Sequence, residues 1–91
     1  MIEVKIINKI EYKIKEYQEK TGATKTWIAK QINVKRQTLN TIEKSENPTI
    51  ETLMKLAVVL DCDITDLFEV TIFEDDNILK IDKYKFQVRL K

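Results

Sequence analysis

Arg36, Gln37, Asn40 and Thr41 lie at a spacing that puts them together on one side of an α-helix. Each carries groups that match the edges of base pairs. Arginine suits the O6 and N7 acceptors of guanine, glutamine and asparagine suit the N6/N7 edge of adenine, and threonine suits polar edges or the thymine methyl. The chemistry such a face could perform is non-covalent reading of double-stranded DNA. Bond-making chemistry has little material. The chain contains no histidine, one serine (Ser45), one cysteine (Cys62) and one glycine (Gly22). No Ser–His or Cys–His nucleophile, zinc site or glycine-rich phosphate loop can be assembled. The acidic run Glu74, Asp75, Asp76 reads as a solvated face, since nothing supplies further metal ligands at defined spacing. Neither an enzyme nor a cofactor is expected.

A reading face needs elements that present it. Residues 24–43, TKTWIAKQINVKRQTLNTIE, read as two short helices joined by a tight turn. Thr24 suits an N-cap, its hydroxyl accepting from an early free amide. Ile28, Ala29 and Ile32 share one face, and the small Ala29 lets a second helix cross closely. Asn33 tolerates the positive φ that a helix-ending turn needs, and Val34 can plug the gap between the helices. The second helix is expected to start near Lys35 or Arg36, with Leu39 and Ile42 inward. The alternative is a plain helical hairpin whose polar face merely stays wet. Small residue, turn asparagine, plug valine and base-competent face coincide in register, which favours a DNA reader. Trp27 near the start of the first of these helices is read as packing at a domain edge rather than stacking on single strands.

The segment is similar to the helix-turn-helix of the Cro and phage-repressor (Xre-type) family, and the resemblance runs over residues 13–68. It rests on an ordered set: Gly22 before the motif, Asn33 and Val34 at the turn, the run Arg36, Gln37, Thr38, the ending Ile42, Glu43, a helix start at Pro48 and Thr49, then Leu53, Leu56 and Leu60, and finally Leu67 and Phe68. The resemblance implies a sequence-specific double-stranded DNA-binding regulator, a repressor acting on a palindromic operator. Base contacts are then expected from Arg36, Gln37, Asn40 and Thr41. Phosphate contacts are expected from Thr24, Lys25, Lys35 and Lys44, with the amides at the start of the motif's first helix. There are departures. Asn33 replaces the family's turn glycine. Lys25 stands where a bracing glutamine is usual, and it cannot accept a hydrogen bond. Gln18 stands where many members place an arginine that pairs with the motif's last glutamate, so Glu43 is expected to find a neutral partner at best. The loop after Glu43 lacks its usual glycine.

Charge distribution fits a nucleic-acid partner although the net charge is only +1. Residues 20–44 carry five lysines and Arg36 against Glu43, and residues 77–91 carry four lysines and Arg89 against Asp82. Residues 46–76 set Lys55 alone against nine acids. A local basic face meets phosphate, and the acidic remainder repels DNA in wrong orientations. The longest apolar run, residues 56–60, is far short of the ~20 needed to cross a bilayer. The start MIEVKII lacks the features of a signal peptide. No membrane association is expected, and the lone Cys62, read as a buried small hydrophobe, suits a reducing cytoplasm.

The remaining pattern supplies a frame. Ile2, Val4 and Ile6 alternate as a short strand. Asn8 and Glu11 read as a capping box opening a helix near Lys9, whose inner face is Ile10, Ile14 and Tyr17, closed by Gly22. Pro48 and Thr49 open a further helix with Ile50, Leu53, Met54, Ala57 and Leu60 as its inner stripe. Asp63 caps a final turn over residues 64–68. Residues 70–73 read as a strand, residues 84–90 alternate as another, and residues 78–81 are a third candidate. The expected fold is mainly α: a five-helix repressor-like helix-turn-helix bundle with a small β-sheet from the N-terminal and C-terminal strands. It divides into an N-terminal strand (1–7), the DNA-binding domain (8–68) and a C-terminal β extension (69–91). An unpaired sheet edge is a liability in a monomer, so pairing across a two-fold axis into a homodimer is one expectation. A sheet that covers only its own core is the competing one. An antitoxin-like interaction protein, whose β extension binds a protein partner, is the alternative function, and an adaptor that no longer binds DNA is another.

Overall fold

The protein's structure, a computed structural model, describes residues 1–74 together with residues 77 and 78. Strand β1 (Ile2–Asn8) leads into four α-helices: α1 (Ile10–Thr21), α2 (Lys25–Gln31), α3 (Arg36–Lys44) and α4 (Ile50–Val59). A single 3-10 turn (Ile64–Asp66) follows, then strands β2 (Phe68–Glu74) and β3 (Asn77–Ile78). β1 and β2 pair antiparallel from Ile2↔Glu74 to Asn8↔Phe68, and β3 returns along the end of β2 at Phe73↔Ile78. The strand expected over residues 84–90, and the rest of that over 78–81, lie outside the described residues.

The helices close over one apolar core. Ile10 and Ile14 enter it from α1, Ile28, Ala29 and Ile32 from α2 and its end, and Leu39 from α3. Leu53, Leu56 and Leu60 come from α4 and its C-cap, and Ile64, Leu67 and Phe68 from the segment after it. Tyr17, Val34, Ile42 and Ala57 pack against this core from its margin, as their spacing suggested. Gly22 takes the left-handed C-cap of α1 at φ 74°, its N–H donating to the Gln18 carbonyl at 2.8 Å. The path is open to glycine at no steric cost.

Three expectations are corrected. There are four α-helices among the described residues, not five: the segment expected as a fifth helix makes only the 3-10 turn. Asp61 adopts φ 51°, the Asp66 carboxylate accepts from the Asp63 N–H at 3.2 Å, and the Leu67 N–H reaches the Ile64 carbonyl at 3.0 Å. The Leu67 carbonyl then accepts from the Lys9 N–H at 2.9 Å, and Phe68 enters the sheet opposite Asn8. Pairing with β1 takes the backbone that a longer helix would have used. The inner stripe of α4 is Leu53, Leu56 and Leu60, while Ile50 and Met54 are exposed. Positions i, i+3 and i+7 face the bundle, and the two others fall beyond its edge. Asn8 and Glu11 form no capping box. The Asn8 Oδ1 accepts from the Ile10 N–H at 2.9 Å, and Glu11 turns to Lys44 instead.

The sheet lies against the core at Ile6, Phe68 and Val70. Farther out its inward face is uncovered, with Ile2 64% and Val4 58% exposed. Val4, Ile6, Val70 and Ile72 form an apolar groove with Ile50 and Pro48 of about 270 Å³.

Candidate nucleic-acid interface

The joint between α2 and α3 is set by local chemistry. The Thr24 hydroxyl oxygen accepts from the Trp27 N–H at 3.0 Å, which caps α2. At the other end the Asn33 N–H donates to the Lys30 carbonyl at 3.1 Å, and Asn33 adopts φ 59°. That left-handed step reverses the chain. The Val34 N–H then reaches back to the Ala29 carbonyl at 2.9 Å. Lys35 is extended and α3 begins at Arg36.

Helix α3 has two opposite faces. Leu39 and Glu43 are buried, and Ile42 packs on the core margin. Arg36, Gln37, Asn40 and Thr41 are all exposed on the other side. The Thr41 hydroxyl donates to the Gln37 carbonyl at 3.2 Å, which leaves its methyl and its lone pairs outward. Arg36 also borders an open polar depression shared with Thr24, Lys25 and Thr26 at the start of α2. The two helix starts therefore face the same solvent region.

The four basic or hydroxyl residues expected to hold phosphate differ in what already occupies them. The Thr24 oxygen takes the Trp27 amide, and its hydroxyl hydrogen is left to donate. Lys35 and Arg36, like Lys30, have no carboxylate within ion-pair distance among the described residues. The Lys44 ammonium meets Glu11 at 2.7 Å, both side chains exposed. Their contact, through the hydrogen bond first and the charge second, holds the Glu11 carboxyl below its ordinary range and raises Lys44 above its own. Lys25 lies 2.8 Å from Glu43 Oε1 and 3.4 Å from Asn40 Oδ1.

The Lys25–Glu43 pair corrects the expectation of a neutral partner for Glu43. Gln18 donates instead to the Ala23 carbonyl at 3.2 Å. Glu43 is 5% exposed, and a carboxylate that deep needs a charged or hydrogen-bonding partner. Lys25 stands on the neighbouring helix and its stem is long enough to supply one. Glu43 Oε2 accepts no hydrogen bond from the described residues.

A further positioning residue was not legible as such. Asn8 Nδ2 donates to the Ile42 carbonyl at 2.9 Å and to the Ser45 carbonyl at 2.8 Å. These bonds tie the end of β1 to the C-terminal end of α3, where helix carbonyls lack partners of their own. In sequence Asn8 looks like an ordinary helix cap. Beside its local bond from the Ile10 N–H, its amide also holds two carbonyls more than thirty positions away.

A short helix crossing a second one, with a polar exposed face on the latter and cations flanking it that have no ion-pair partner among the described residues, defines a helix-turn-helix of the kind that lies in a DNA groove. Residues 13–71 match the Cro/C1-type HTH DNA-binding domain, and the chain belongs to that (Xre-type) family. Two proteins of Archaeoglobus fulgidus, each described as an uncharacterized HTH-type transcriptional regulator, are similar to it. One is 36% identical over 67 residues, covering 72% of this chain and 91% of its own. The other is 33% identical over 67 residues, covering 72% and 90%. No helix among the described residues is long and apolar enough to cross a membrane.

Proposed function

We propose that the protein is a sequence-specific regulator of transcription that binds double-stranded DNA, acting as a repressor at a palindromic operator. The observation that carries this reading is the division of α3, with Leu39 and Glu43 in the core and Arg36, Gln37, Asn40 and Thr41 together in solvent. These four side chains read bases in the major groove. Thr24 and Lys35 hold the flanking phosphates, Lys25 and Lys44 contributing less because carboxylates already offset their charge.

The protein acts as a homodimer. The uncovered apolar face of the sheet, with Val4 58% and Ile50 50% exposed beside the groove, supports pairing of two copies there. Recognition helices in a two-fold pair would then stand ~34 Å apart, one DNA turn. The same face also favours the second reading, an antitoxin-like protein whose sheet grips a protein partner.

The test is binding to duplexes selected from a random pool, followed by anisotropy titration. The selected site should be an inverted repeat, and Arg36→Ala should cost about 1–3 kcal/mol on it while relaxing one base position. Unchanged binding by Arg36→Ala would remove the assignment of this face. A chain that scatters light as a 10.8 kDa monomer at tens of micromolar would remove the homodimer and leave the apolar face to another partner.

A further inference from the structure

Lys25 stands between the exposed reading face and the buried floor beneath it. Its ammonium reaches Glu43 Oε1 at 2.8 Å and Asn40 Oδ1 at 3.4 Å. An ammonium has three donors and no acceptor, so the Asn40 atom facing it must be the carbonyl oxygen, however the amide could otherwise be turned. Glu43 keeps Lys25 in place, because a carboxylate 5% exposed is poorly solvated if its cation leaves. Asn40 Oδ1 keeps a second lone pair, but the Lys25 ammonium beside it is a cluster of donors that repels an incoming amino group, so Nδ2, with two N–H donors, is the end of the amide that meets a base more freely.

The usual asparagine contact with adenine needs both functions, a donor to N7 and an acceptor for the N6 amino group. Guanine presents two acceptors there, N7 and O6. We infer that Lys25 is a positioning residue for base choice, occupying the Asn40 carbonyl so that Asn40 reads guanine in preference to adenine. The inference rests on the assignment of α3 as the DNA reader and alters it at one position. A lysine whose only role is to hold phosphate would weaken all sequences alike and leave base choice untouched.

The experiment is selection from a random duplex pool with the native chain, Asn40→Ala, Lys25→Arg and the double variant Lys25→Met/Glu43→Gln, each checked for cooperative melting. Glu43→Gln is included so that no carboxylate is left buried without its cation. Asn40→Ala marks the base position that Asn40 reads. The native chain should prefer guanine to adenine there by about tenfold, Lys25→Arg should keep that preference, and the double variant should reduce it to about twofold or reverse it. The other positions should not change. A measurement on the native chain needs no variant: 7-deazaguanine at that position, lacking the N7 acceptor, should weaken binding about fivefold. Adenine preferred by the native chain, the same base ratio in native and double variant, or indifference to 7-deazaguanine would each overturn the inference. If Asn40→Ala alters no position while a site is still enriched, this inference falls and the reading of α3 stands. If the folded native chain enriches nothing, the DNA-binding proposal itself fails and this inference with it.

Discussion

Replacing Lys25 by alanine leaves Glu43, 5% exposed, without the one hydrogen-bond donor it has among the described residues. Removing one partner from a fully buried ion pair costs about 3–5 kcal/mol, most of it the burial of an uncompensated charge. The Lys25 side chain is 28% accessible, so water reaches the Oε1 side and the cost falls to about 2–3 kcal/mol. For a domain of this size each kcal/mol moves the melting midpoint by about 4–8 °C, which gives a drop of about 10–20 °C. The assay is urea and thermal unfolding of the native chain, Lys25→Ala, Glu43→Gln and the double variant Lys25→Ala/Glu43→Gln, read as a cycle. Since the cost lies in the charge, adding Glu43→Gln to Lys25→Ala should restore half or more of the lost stability. A cost below about 0.5 kcal/mol for Lys25→Ala, the size of an ordinary surface change, would refute the reasoning. So would a double variant no more stable than Lys25→Ala.

Three smaller predictions follow from the same structure. Asn33→Val should lose about 1–2 kcal/mol in denaturant unfolding, because a β-branched residue resists φ 59°, whereas Asn33→Gly should change stability by less than about 1 kcal/mol. Lys44 lowers the Glu11 carboxyl in the folded state, so the small contribution of this exposed pair is present above the ordinary carboxyl value of 4.5 and is lost as pH falls through the folded-state titration. The urea midpoints of native and Glu11→Gln should therefore differ slightly at pH 7 and converge once the pH lies below the folded-state titration of Glu11. Burial, then Asp66, raises the Cys62 thiol, so iodoacetamide at pH 8 should label Cys62 more slowly in the folded chain than in urea, as followed by mass spectrometry.

Much of the recognition unit could be read from local sequence because local chemistry determines it. Thr24, Asn33, Val34, Leu39 and the outward set of α3 act through neighbours within a few positions, where capping, left-handed tolerance and helical period are properties of the residues themselves. The strands at residues 2–6 and 70–73 were visible for the same reason, as alternation of period two. In helix α4 the spacing places Leu53, Ala57 and Leu60 inward as found, but it also turns Ile50 and Met54 inward, and these are exposed. Its apolar positions cover more than one side, and periodicity alone does not choose which of Ile50, Met54 and Leu56 turns inward. The residues of the expected fifth helix suit a helix, but the partner that takes the backbone at Phe68 is sixty positions away at Asn8, beyond the reach of local pattern.

What the sequence determined by itself is the helix-turn-helix and the base-competent face on its second helix, since caps, turn and period are encoded within residues 24–43. What the tertiary structure decided is which groups on that face are free. Lys25 and Glu43 are eighteen positions apart, Asn8 and Ile42 thirty-four. Pairings at such separations follow from how α1, α2, α3 and β1 pack. Burial of Glu43 is what turns a lysine that reads as a phosphate anchor into the partner of a carboxylate and of Asn40. A buried charge takes the nearest compensating group that packing supplies, and no local pattern names that group in advance.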